Sequence, residues 1–306
     1  MSARGDQHVL ILGCGFTGVA LAQRLAFKGQ PVVGTTRGEL RASIIRTRGA
    51  HPLLWEGGDL DALLPWRGRV RSVVYSVPPA GLGPAPDPTL AAVLDFFAEA
   101  PEGQRLDAFV YLSSTAVYGD RQGERAAEDT AAAPDSPRAF ARLAAEQQVL
   151  AAAVPGMVLR PAGIYGPGRS LLHRLAEGKH RLIGDGQALT NRVHVADLAA
   201  LLEAALTRGR PGAVYLGADL APASSREVSE HAVATYGLPV PSAMSLAEAR
   251  IRLDRDTYAM LAGSKRLDPT ATLTELGVRL KFPSYREGFA DLWRRERTEI
   301  LALRPA

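Results

Sequence analysis

Three glycines near the beginning of the chain, Gly13, Gly15 and Gly18, have the spacing G-x-G-x-x-G. They follow a short apolar run and precede apolar residues at helical spacing, as in a strand, a turn and a helix. The first glycine of such a turn permits a tight bend, the second lets the backbone approach a pyrophosphate, and the third lets the helix pack closely on the strand. We therefore expect a dinucleotide at this turn and at the helix start, Phe16 and Thr17. The alternative is a turn of the same type without a ligand.

The ends of the second and third predicted strands would face the adenosine half of the dinucleotide. An acidic residue after the second strand would bind the ribose 2′-hydroxyl, but the chain has Thr36 and Arg37 there. Because a guanidinium presents a planar fork of donors that suits a phosphate, we expect NADP rather than NAD, unless Arg37 only extends into water. After the third strand, we expect Asp59 to bind the adenine amine and Leu60 to cover the ring; a helix cap at Asp59 is the alternative.

Two further loops would run along the same edge of the sheet, beside the pyrophosphate and the nicotinamide ribose. The fourth predicted strand is followed by Ser76, Val77 and Pro78, and the prolines here exclude a helix. The fifth strand continues into Ser113 and Ser114. Hydroxyls at the C-terminal end of a central strand lie where open α/β sheets bind ligands. Both loops are therefore candidate ligand contacts.

The elements that position these residues form a regular pattern along the chain. Apolar runs predict strands at 9–12, 31–34, 52–55, 70–76, 108–112, 157–160 and 213–217, and helical patterns separate them. This alternation predicts an α/β fold with a Rossmann-type doubly wound parallel sheet. Gly- and Pro-rich sequence after the sixth strand predicts a boundary. We expect a dinucleotide-binding domain at 1–165 and a smaller, mainly helical substrate lobe at 166–306, with 190–217 returning to the sheet.

The composition limits the class of protein. The chain has 306 residues and a net charge of +4, and its basic residues do not cluster on one predicted face, which argues against nucleic-acid binding. No apolar stretch approaches the length of a membrane span, and the N-terminus does not resemble a secretion signal, so we expect a cytoplasmic protein without membrane contact. The single cysteine, Cys14, excludes an intrachain disulfide, and the sequence contains no ligand cluster for a metal.

Four motifs are together far more specific than the glycine turn alone: GCGFTG, YLSSTAVYGD, LRPAGIYGPGR and NRVHVADLA. With these motifs, which span most of its length, the chain resembles the extended short-chain dehydrogenases/reductases of the NAD-dependent epimerase/dehydratase type. Its tail, GSKRLDPTATLTELGVRLKFPSYREGF, is similar to the ending of the atypical YeeZ-like subgroup. The resemblance implies a nicotinamide cofactor and a small-molecule substrate.

The resemblance also implies a catalytic site. The family's hydroxyl position, counted back from Tyr118, falls on Ser114. The family uses Tyr-x-x-x-Lys on the next helix, and this chain has Arg138 at the tyrosine position and Arg142 at the lysine position. Arg142 could still supply a cation and bind the nicotinamide ribose. Arg138 cannot replace the tyrosine, because a guanidinium stays protonated at any working pH.

The segment after the sixth strand borders the nicotinamide and the substrate in the family. The resemblance places Pro161, Ile164 and Tyr165 there, although a structural role explains Tyr165 equally well. Because members of the family often bind nucleotide-sugars, Arg169 and Arg192 are candidates to face a substrate anion. A solvated surface position is the alternative for each arginine.

Two classes of function remain open from the sequence. The first is an NADP-dependent, epimerase/dehydratase-like oxidoreductase acting on a carbonyl or nucleotide-sugar substrate, its proton supplied through water or by another group. The second is a non-catalytic NADP-binding sensor or scaffold. The hydroxyls and the substrate lobe favour the first, and Arg138 favours the second. The family often dimerises, and segments 94–97 and 140–143 are candidate contacts, but core packing explains them equally well.

Overall fold

The computed structural model describes residues 7–304, and its centre is a sheet of seven parallel strands. The strands are β1 (His8–Leu12), β2 (Val32–Thr36), β3 (His51–Leu54), β4 (Val70–Tyr75), β5 (Ala108–Leu112), β6 (Gly156–Pro161) and β7 (Val214–Gly217). Their order across the sheet is β7-β6-β5-β4-β1-β2-β3, and every neighbouring pair is parallel. The predicted Rossmann-type α/β fold is therefore confirmed.

Helices connect the strands and build the C-terminal lobe. The α-helices of the described chain are α1 (Phe16–Phe27), α2 (Glu39–Thr47), α3 (Pro88–Ala98), α4 (Pro137–Ala151), α5 (Leu171–Ala176), α6 (Val195–Arg208), α7 (Ser225–Tyr236), α8 (Leu246–Arg252), α9 (Arg255–Ala262), α10 (Thr270–Glu275) and α11 (Tyr285–Ala302). Short 3₁₀ helices span Asp61–Trp66, Glu102–Gln104 and Thr115–Tyr118. Among residues 7–304, no helix has both the length and the apolar character needed to cross a membrane.

Short strands outside the central sheet join loops that are distant in the sequence. They pair as Gly163–Tyr165 with Arg192–His194, Leu189–Thr190 with Ala223–Ser224, Arg181–Ile183 with Ser242–Met244, and Arg125–Ala126 with Arg266–Leu267. Strands of two or three residues carry no periodic pattern, so the sequence did not predict these pairs.

The direction of the strand order reverses beside β1. After β1 the chain adds β2 and β3 on one side, and then β4 returns to the other side of β1. Loops that leave the carboxyl ends of β1 and β4 diverge at such a point and leave a crevice between them, which is where open α/β sheets bind ligands. The topology therefore opens a crevice directly at the glycine turn after β1.

Strand β1 is buried on both faces, which explains its continuous apolar sequence. Val9 and Ile11 belong to a core that includes α1 and α6. Leu10 and Leu12 belong to a second core on the opposite face, which includes α3 and α4. Helices on both faces thus hold β1 rigidly at the centre of the molecule.

The residues named as candidate dimer contacts differ in burial. Leu94 and Phe97 lie in the core formed with α3 and α4, at 3% and 1% exposure. Phe140 is 37% exposed and Leu143 is half-buried. Packing within the chain accounts for Leu94 and Phe97, and dimer formation through this surface stays a prediction.

The C-terminal lobe has its own core of α5, α7 and α11, with Leu172, Val228 and Phe289 among its buried members. The strand pair Gly163–Tyr165 and Arg192–His194 lies between this core and the sheet. Ile164 packs on the core of the sheet, whereas Tyr165 belongs to the core of the lobe. This strand pair therefore contributes side chains to the cores of both lobes.

Candidate active site

Each glycine of the turn after β1 has a distinct physical reason to be glycine. Gly13 has a φ of +82°, and a Cβ there would lie 3.0 Å from both the backbone N and the Cγ2 of Val77. A Cβ at Gly18 would lie 3.0 Å from the Cγ2 of Ile11, so this residue permits close packing of α1 on β1. A Cβ at Gly15 would meet nothing nearer than the Gly13 carbonyl oxygen at 3.9 Å. The space above Gly15 is therefore open for a ligand.

Both neighbouring strands hold the glycine turn in place. The Thr35 Oγ1 accepts a hydrogen bond of 2.9 Å from the Gly13 N–H, and the Thr35 carbonyl accepts one of 2.8 Å from the Cys14 N–H. On the other side, the Ser76 hydroxyl donates to the Gly13 carbonyl at 2.6 Å. Ser76, which was expected at the cofactor, thus holds the turn itself. Thr35 could not be predicted from the sequence, because a threonine inside a strand is ordinary.

The start of α1 offers hydrogen-bond donors to this open space. Gly15 precedes the helix as its N-cap and has no side chain to cap it, and the first turn contains no acidic residue. Phe16 is half-buried and Thr17 is buried. The first N–H groups of a helix lack partners within it, and the helix dipole makes this end positive. The residues present therefore fit a pyrophosphate.

The residues expected at the adenosine half are accessible. Thr36 is half-buried, and Arg37 is exposed and makes no hydrogen bond or ion pair with another described residue. Leu60 is half-buried, and the Asp59 Oδ1 accepts a hydrogen bond of 3.3 Å from the Ala62 N–H. Asp59 therefore stabilises the 3₁₀ helix that follows it, as in the capping alternative, while its second carboxylate oxygen is left for another donor.

Ser113 belongs to a buried polar cluster behind the carboxyl end of β5. Its hydroxyl donates to the Glu146 Oε1 at 2.5 Å. Arg160 donates to the same carboxylate from Nε at 3.0 and 3.2 Å and from Nη2 at 2.6 Å. Glu146 is 1% exposed and Arg160 is 6% exposed. Ser113, expected as a cofactor contact, thus connects β5 to α4 and β6.

Glu146 and Arg160 were not among the residues predicted for the site. Both lie in stretches that the sequence analysis used, Arg160 in LRPAGIYGPGR and Glu146 on the helix that carries Arg142. A charged residue on a helix is ordinarily exposed, so its sequence gave no sign of burial. The bidentate geometry of a guanidinium on a carboxylate is what allows the pair to be buried here.

The three catalytic candidates have different surroundings. Ser114 caps the 3₁₀ helix after β5, and its Oγ accepts a hydrogen bond of 3.1 Å from the Ala116 N–H. The Arg142 Nη1 donates to the Leu112 carbonyl at 2.8 Å, so Arg142 lies against the end of β5. Both residues are half-buried at the carboxyl end of β5, where a ligand would bind.

Arg138 faces away from this edge, towards α9. Its side chain is 75% exposed, and its Nε lies 3.5 Å from the Oδ2 of Asp256, while its backbone N–H donates to the Oδ1 of Asp256 at 2.8 Å. A protonated guanidinium paired with a carboxylate has no proton to give at neutral pH. Arg138, which the sequence analysis placed at the family's tyrosine position, therefore forms an ion pair with α9.

The residues after β6 line the boundary between the two lobes. Pro161 is buried at the end of β6, and Ile164 packs on the core of the sheet. The Tyr165 ring lies edge-on to His194, with 5.2 Å between the ring centroids, and its buried hydroxyl has no hydrogen-bond partner among the described residues. Burial raises the pKa of Tyr165. A side chain at Gly288 would overlap this hydroxyl, so Tyr165 fills the lobe core.

Arg192 lies in a buried polar environment beside Asp219. Burial lowers the pKa of Arg192, and the nearby Asp219 carboxylate partly offsets that effect. Arg192 donates from Nη2 to the Thr190 Oγ1 at 2.6 Å. The Asp219 Oδ2 is buried without a hydrogen-bond partner among the described residues, and burial raises the pKa of Asp219 to about 7. The other oxygen, Oδ1, accepts a hydrogen bond of 3.2 Å from the Ala221 N–H, and the sequence analysis did not predict this buried carboxylate.

Arg169 has other surroundings. It is exposed, and its Cζ lies 5.4 Å from the centroid of the Phe16 ring at the start of α1. The structure thus places Arg169 on the glycine turn and Arg192 beside Asp219. The two arginines named as candidates to face a substrate anion thus have different environments.

The cysteine of the turn has no reactive surroundings. Cys14 is buried, and burial raises the pKa of its thiol to about 12. A Cβ at Gly34 would lie 2.8 Å from the Cys14 Sγ, so the sulfur fills the space between β2 and α1. Within residues 7–304, no three His, Cys, Asp or Glu side chains are grouped so as to hold a metal ion.

Comparison with known proteins agrees with this arrangement. The model of the NAD dependent epimerase/dehydratase family matches residues 91–217. Protein YeeZ of Escherichia coli K12 is 29% identical over 220 residues, which cover 68% of this chain and 76% of YeeZ. A functionally unknown conserved protein from Silicibacter pomeroyi DSS is 36% identical and superimposes with a TM-score of 0.82 over 94% of this chain and 98% of its own.

The human epimerase family protein SDR39U1, solved with NADPH, has the same fold. It superimposes with a TM-score of 0.74 at 19% identity, over 94% of this chain and 99% of its own. The sequence motifs, the strand order and these matches agree with one another. Residues 91–217 of the chain thus resemble the NAD dependent epimerase/dehydratase family.

Proposed function

We propose that this protein binds a nicotinamide dinucleotide at the glycine turn, NADP in preference to NAD, and acts as an epimerase/dehydratase-like oxidoreductase. Its substrate would be a carbonyl compound or a nucleotide-sugar. The observation that carries the proposal is the open space above Gly15 beside the uncapped start of α1. An anion placed there gains hydrogen bonds from N–H groups that otherwise have no partner in the helix.

Each part of the cofactor has residues suited to it. The N–H groups of Phe16 and Thr17 would hold the pyrophosphate, whereas the Gly15 N–H already donates to the Gly13 carbonyl at 2.7 Å. Arg37, exposed and unpaired among the described residues, would bind the 2′-phosphate. The Nη1 of Arg142 is already engaged with Leu112, which leaves its other N–H groups for the hydroxyls of the nicotinamide ribose. When bound, the nicotinamide supplies hydride chemistry.

Ser114 is suited to a hydrogen bond with the substrate oxygen. Its Oγ already accepts from the Ala116 N–H, so its own O–H remains available as a donor. A donor fixed at the oxygen stabilises the negative charge that develops there when hydride moves. Because Arg138 holds no transferable proton, we propose that water completes the proton transfer.

A second candidate function is supported by one observation. Arg138 stands at the family's tyrosine position and pairs with Asp256 on α9. A protein that only senses or carries NADP would keep the glycine turn and have no need of an acid. Under this second function, the same residues bind the cofactor, and Ser114 has no catalytic role.

The two candidates differ in turnover. Calorimetric titration with NADPH and NADH should show binding under both. NADPH oxidation is then measured with a panel of carbonyl compounds, and product formation with a panel of nucleotide-sugars, because epimerisation or dehydration oxidises no cofactor overall. The enzyme reading expects turnover that falls about 100-fold in Ser114→Ala, as for loss of one donor to a developing oxyanion. Cofactor binding without any turnover, identical in Ser114→Ala, would leave the sensor reading. Absence of dinucleotide binding would contradict both.

A further inference from the structure

The turn that follows Tyr165 rests on the glycine turn of the first domain. Gly166 and Arg169 close this turn with two backbone hydrogen bonds, of 2.9 and 3.0 Å. A Cβ at Gly166 would lie 2.6 Å from the Cγ1 of Val195 and 3.3 Å from the Cζ of Phe16, so the backbone of this turn packs closely against both side chains. The guanidinium of Arg169 extends over the same ring at 5.4 Å from its centroid.

The backbone that carries Arg169 is fixed by the C-terminal lobe. The Gly168 N–H donates to the Glu296 Oε2 on α11 at 3.2 Å, and His173 on α5 approaches the same oxygen at 3.4 Å. Gly168 has a φ of +69°, in the left-handed region that glycine adopts without strain. Arg169 therefore starts from a defined position, and only its side chain is free to adjust.

Two sources of positive charge meet at Phe16. The start of α1 is the positive end of the helix dipole, and the first turn has no acidic side chain to balance it. Arg169 is exposed and forms no hydrogen bond or ion pair with a side chain among the described residues. A cation beside a helix N-terminus is electrostatically unfavourable unless an anion lies between them. The surroundings of Arg169 therefore suit an anion that contacts both its guanidinium and the start of α1.

We propose that Arg169 binds the cofactor pyrophosphate together with the start of α1, rather than a substrate anion. This inference rests on the proposed function, since it needs a dinucleotide at the glycine turn. The 2′-phosphate is the less suitable anion for Arg169, because Arg37 follows β2 on one side of β1, whereas Arg169 follows β6 on the other side. The C-terminal lobe would thus close on the cofactor through one guanidinium.

The test compares Arg169→Gln with Arg174→Gln, which removes an exposed arginine of α5 in the same lobe. Dissociation constants are measured by calorimetry, without substrate, for NADPH, NADH and ADP-ribose. We expect Arg169→Gln to weaken all three about 10- to 100-fold, because all three contain the pyrophosphate and charged hydrogen bonds are strong. Arg169→Lys should recover part of the loss, and Arg174→Gln should change each constant less than about twofold.

Each outcome decides a different claim. If the wild-type protein binds none of the three ligands, the proposed function fails and the inference fails with it. If the wild type binds them and Arg169→Gln binds equally tightly, the inference alone is overturned. A loss confined to NADPH would assign Arg169 to the 2′-phosphate and would also overturn the inference. Circular dichroism of the free variants should match the wild type, since Arg169 is exposed.

Discussion

The Thr35 Oγ1 accepts a hydrogen bond of 2.9 Å from the Gly13 N–H and so ties β2 to the glycine turn. Thr35 is 1% exposed, and its hydroxyl lies in the interior. The Ser76 hydroxyl holds the carbonyl of Gly13 from the opposite side. The turn is thus shaped before any ligand arrives, and binding need not order it, which is the general advantage of a preorganised site.

The first prediction concerns this bond. Thr35→Val keeps the shape of the side chain and leaves the Gly13 N–H without its partner. We expect a loss of about 1–3 kcal/mol in the free energy of unfolding, together with roughly tenfold weaker NADPH binding because the turn loses its fixed geometry. Urea denaturation and calorimetry measure the two effects. Thr207→Val on α6, whose hydroxyl bonds only within its own helix, is the matched control. Unchanged NADPH affinity in Thr35→Val would show that the bond does not position the turn.

The second prediction concerns cofactor choice. Arg37→Gln should weaken NADPH binding by roughly tenfold or more and leave NADH binding nearly unchanged, because only NADPH carries the 2′-phosphate. Arg46→Gln removes another exposed arginine, on α2, and should leave both affinities as they are. Fluorescence titration of both reduced cofactors gives the ratio directly. Equal losses for NADH and NADPH would remove the support for an NADP preference.

Much of the fold could be predicted because its strands are buried on both faces. Central parallel strands such as β1 and β5 are continuous apolar runs bounded by glycine, proline or hydroxyl residues, and these stand out in a sequence. The glycine turn could be predicted because its geometry favours glycine at Gly13, where φ is +82°, and at Gly18, where α1 packs closely on Ile11. The sequence was therefore sufficient to predict those parts of the fold in which the local backbone geometry restricts the type of residue.

The parts of the site that were not predicted depend on contacts between segments that are distant in the sequence. Glu146 and Arg160 form a buried pair across α4 and β6, and nothing near either residue signals that a charge is buried. Arg169 was named as a candidate for a substrate anion from the family resemblance, and its position over Phe16 depends on how distant segments of the chain pack together. Sequence spacing does not determine such tertiary contacts.

The third prediction tests the buried pair. Glu146→Leu removes the carboxylate that Arg160 and Ser113 share and leaves a buried guanidinium without an ionic partner. We expect a loss of about 3–5 kcal/mol in the free energy of unfolding. Glu230→Leu breaks the exposed pair with Arg226 and should cost less than about 1 kcal/mol. Urea unfolding followed by circular dichroism compares the two variants. A similar loss in both would mean that burial adds nothing to the pair.

The fourth prediction concerns pH and follows from Asp219. Burial raises the pKa of Asp219 from 3.8 to about 7, and the Glu287 carboxylate adds to this rise. The Arg192 guanidinium lowers the same pKa and offsets only part of the rise. The folded protein therefore keeps this proton between pH 4 and 7, whereas the unfolded chain releases it. In this window the unfolded state binds fewer protons, so the contribution of Asp219 to stability falls as the pH rises and levels off above about pH 7.

Asp219→Asn has no proton to release, so it isolates this contribution. We compare the free energy of unfolding of the variant with that of the wild type. The difference, variant minus wild type, should rise by about 4 kcal/mol between pH 4 and 7, because the pKa of Asp219 differs by about three units between the folded and unfolded states. Burial also lowers the pKa of His180 and His194 to about 4, but both histidines are present in both proteins and cancel in the difference. Urea unfolding at several pH values measures the slope. A difference that stays constant with pH would show that Asp219 is ionised in the folded protein, with Arg192 as its effective partner.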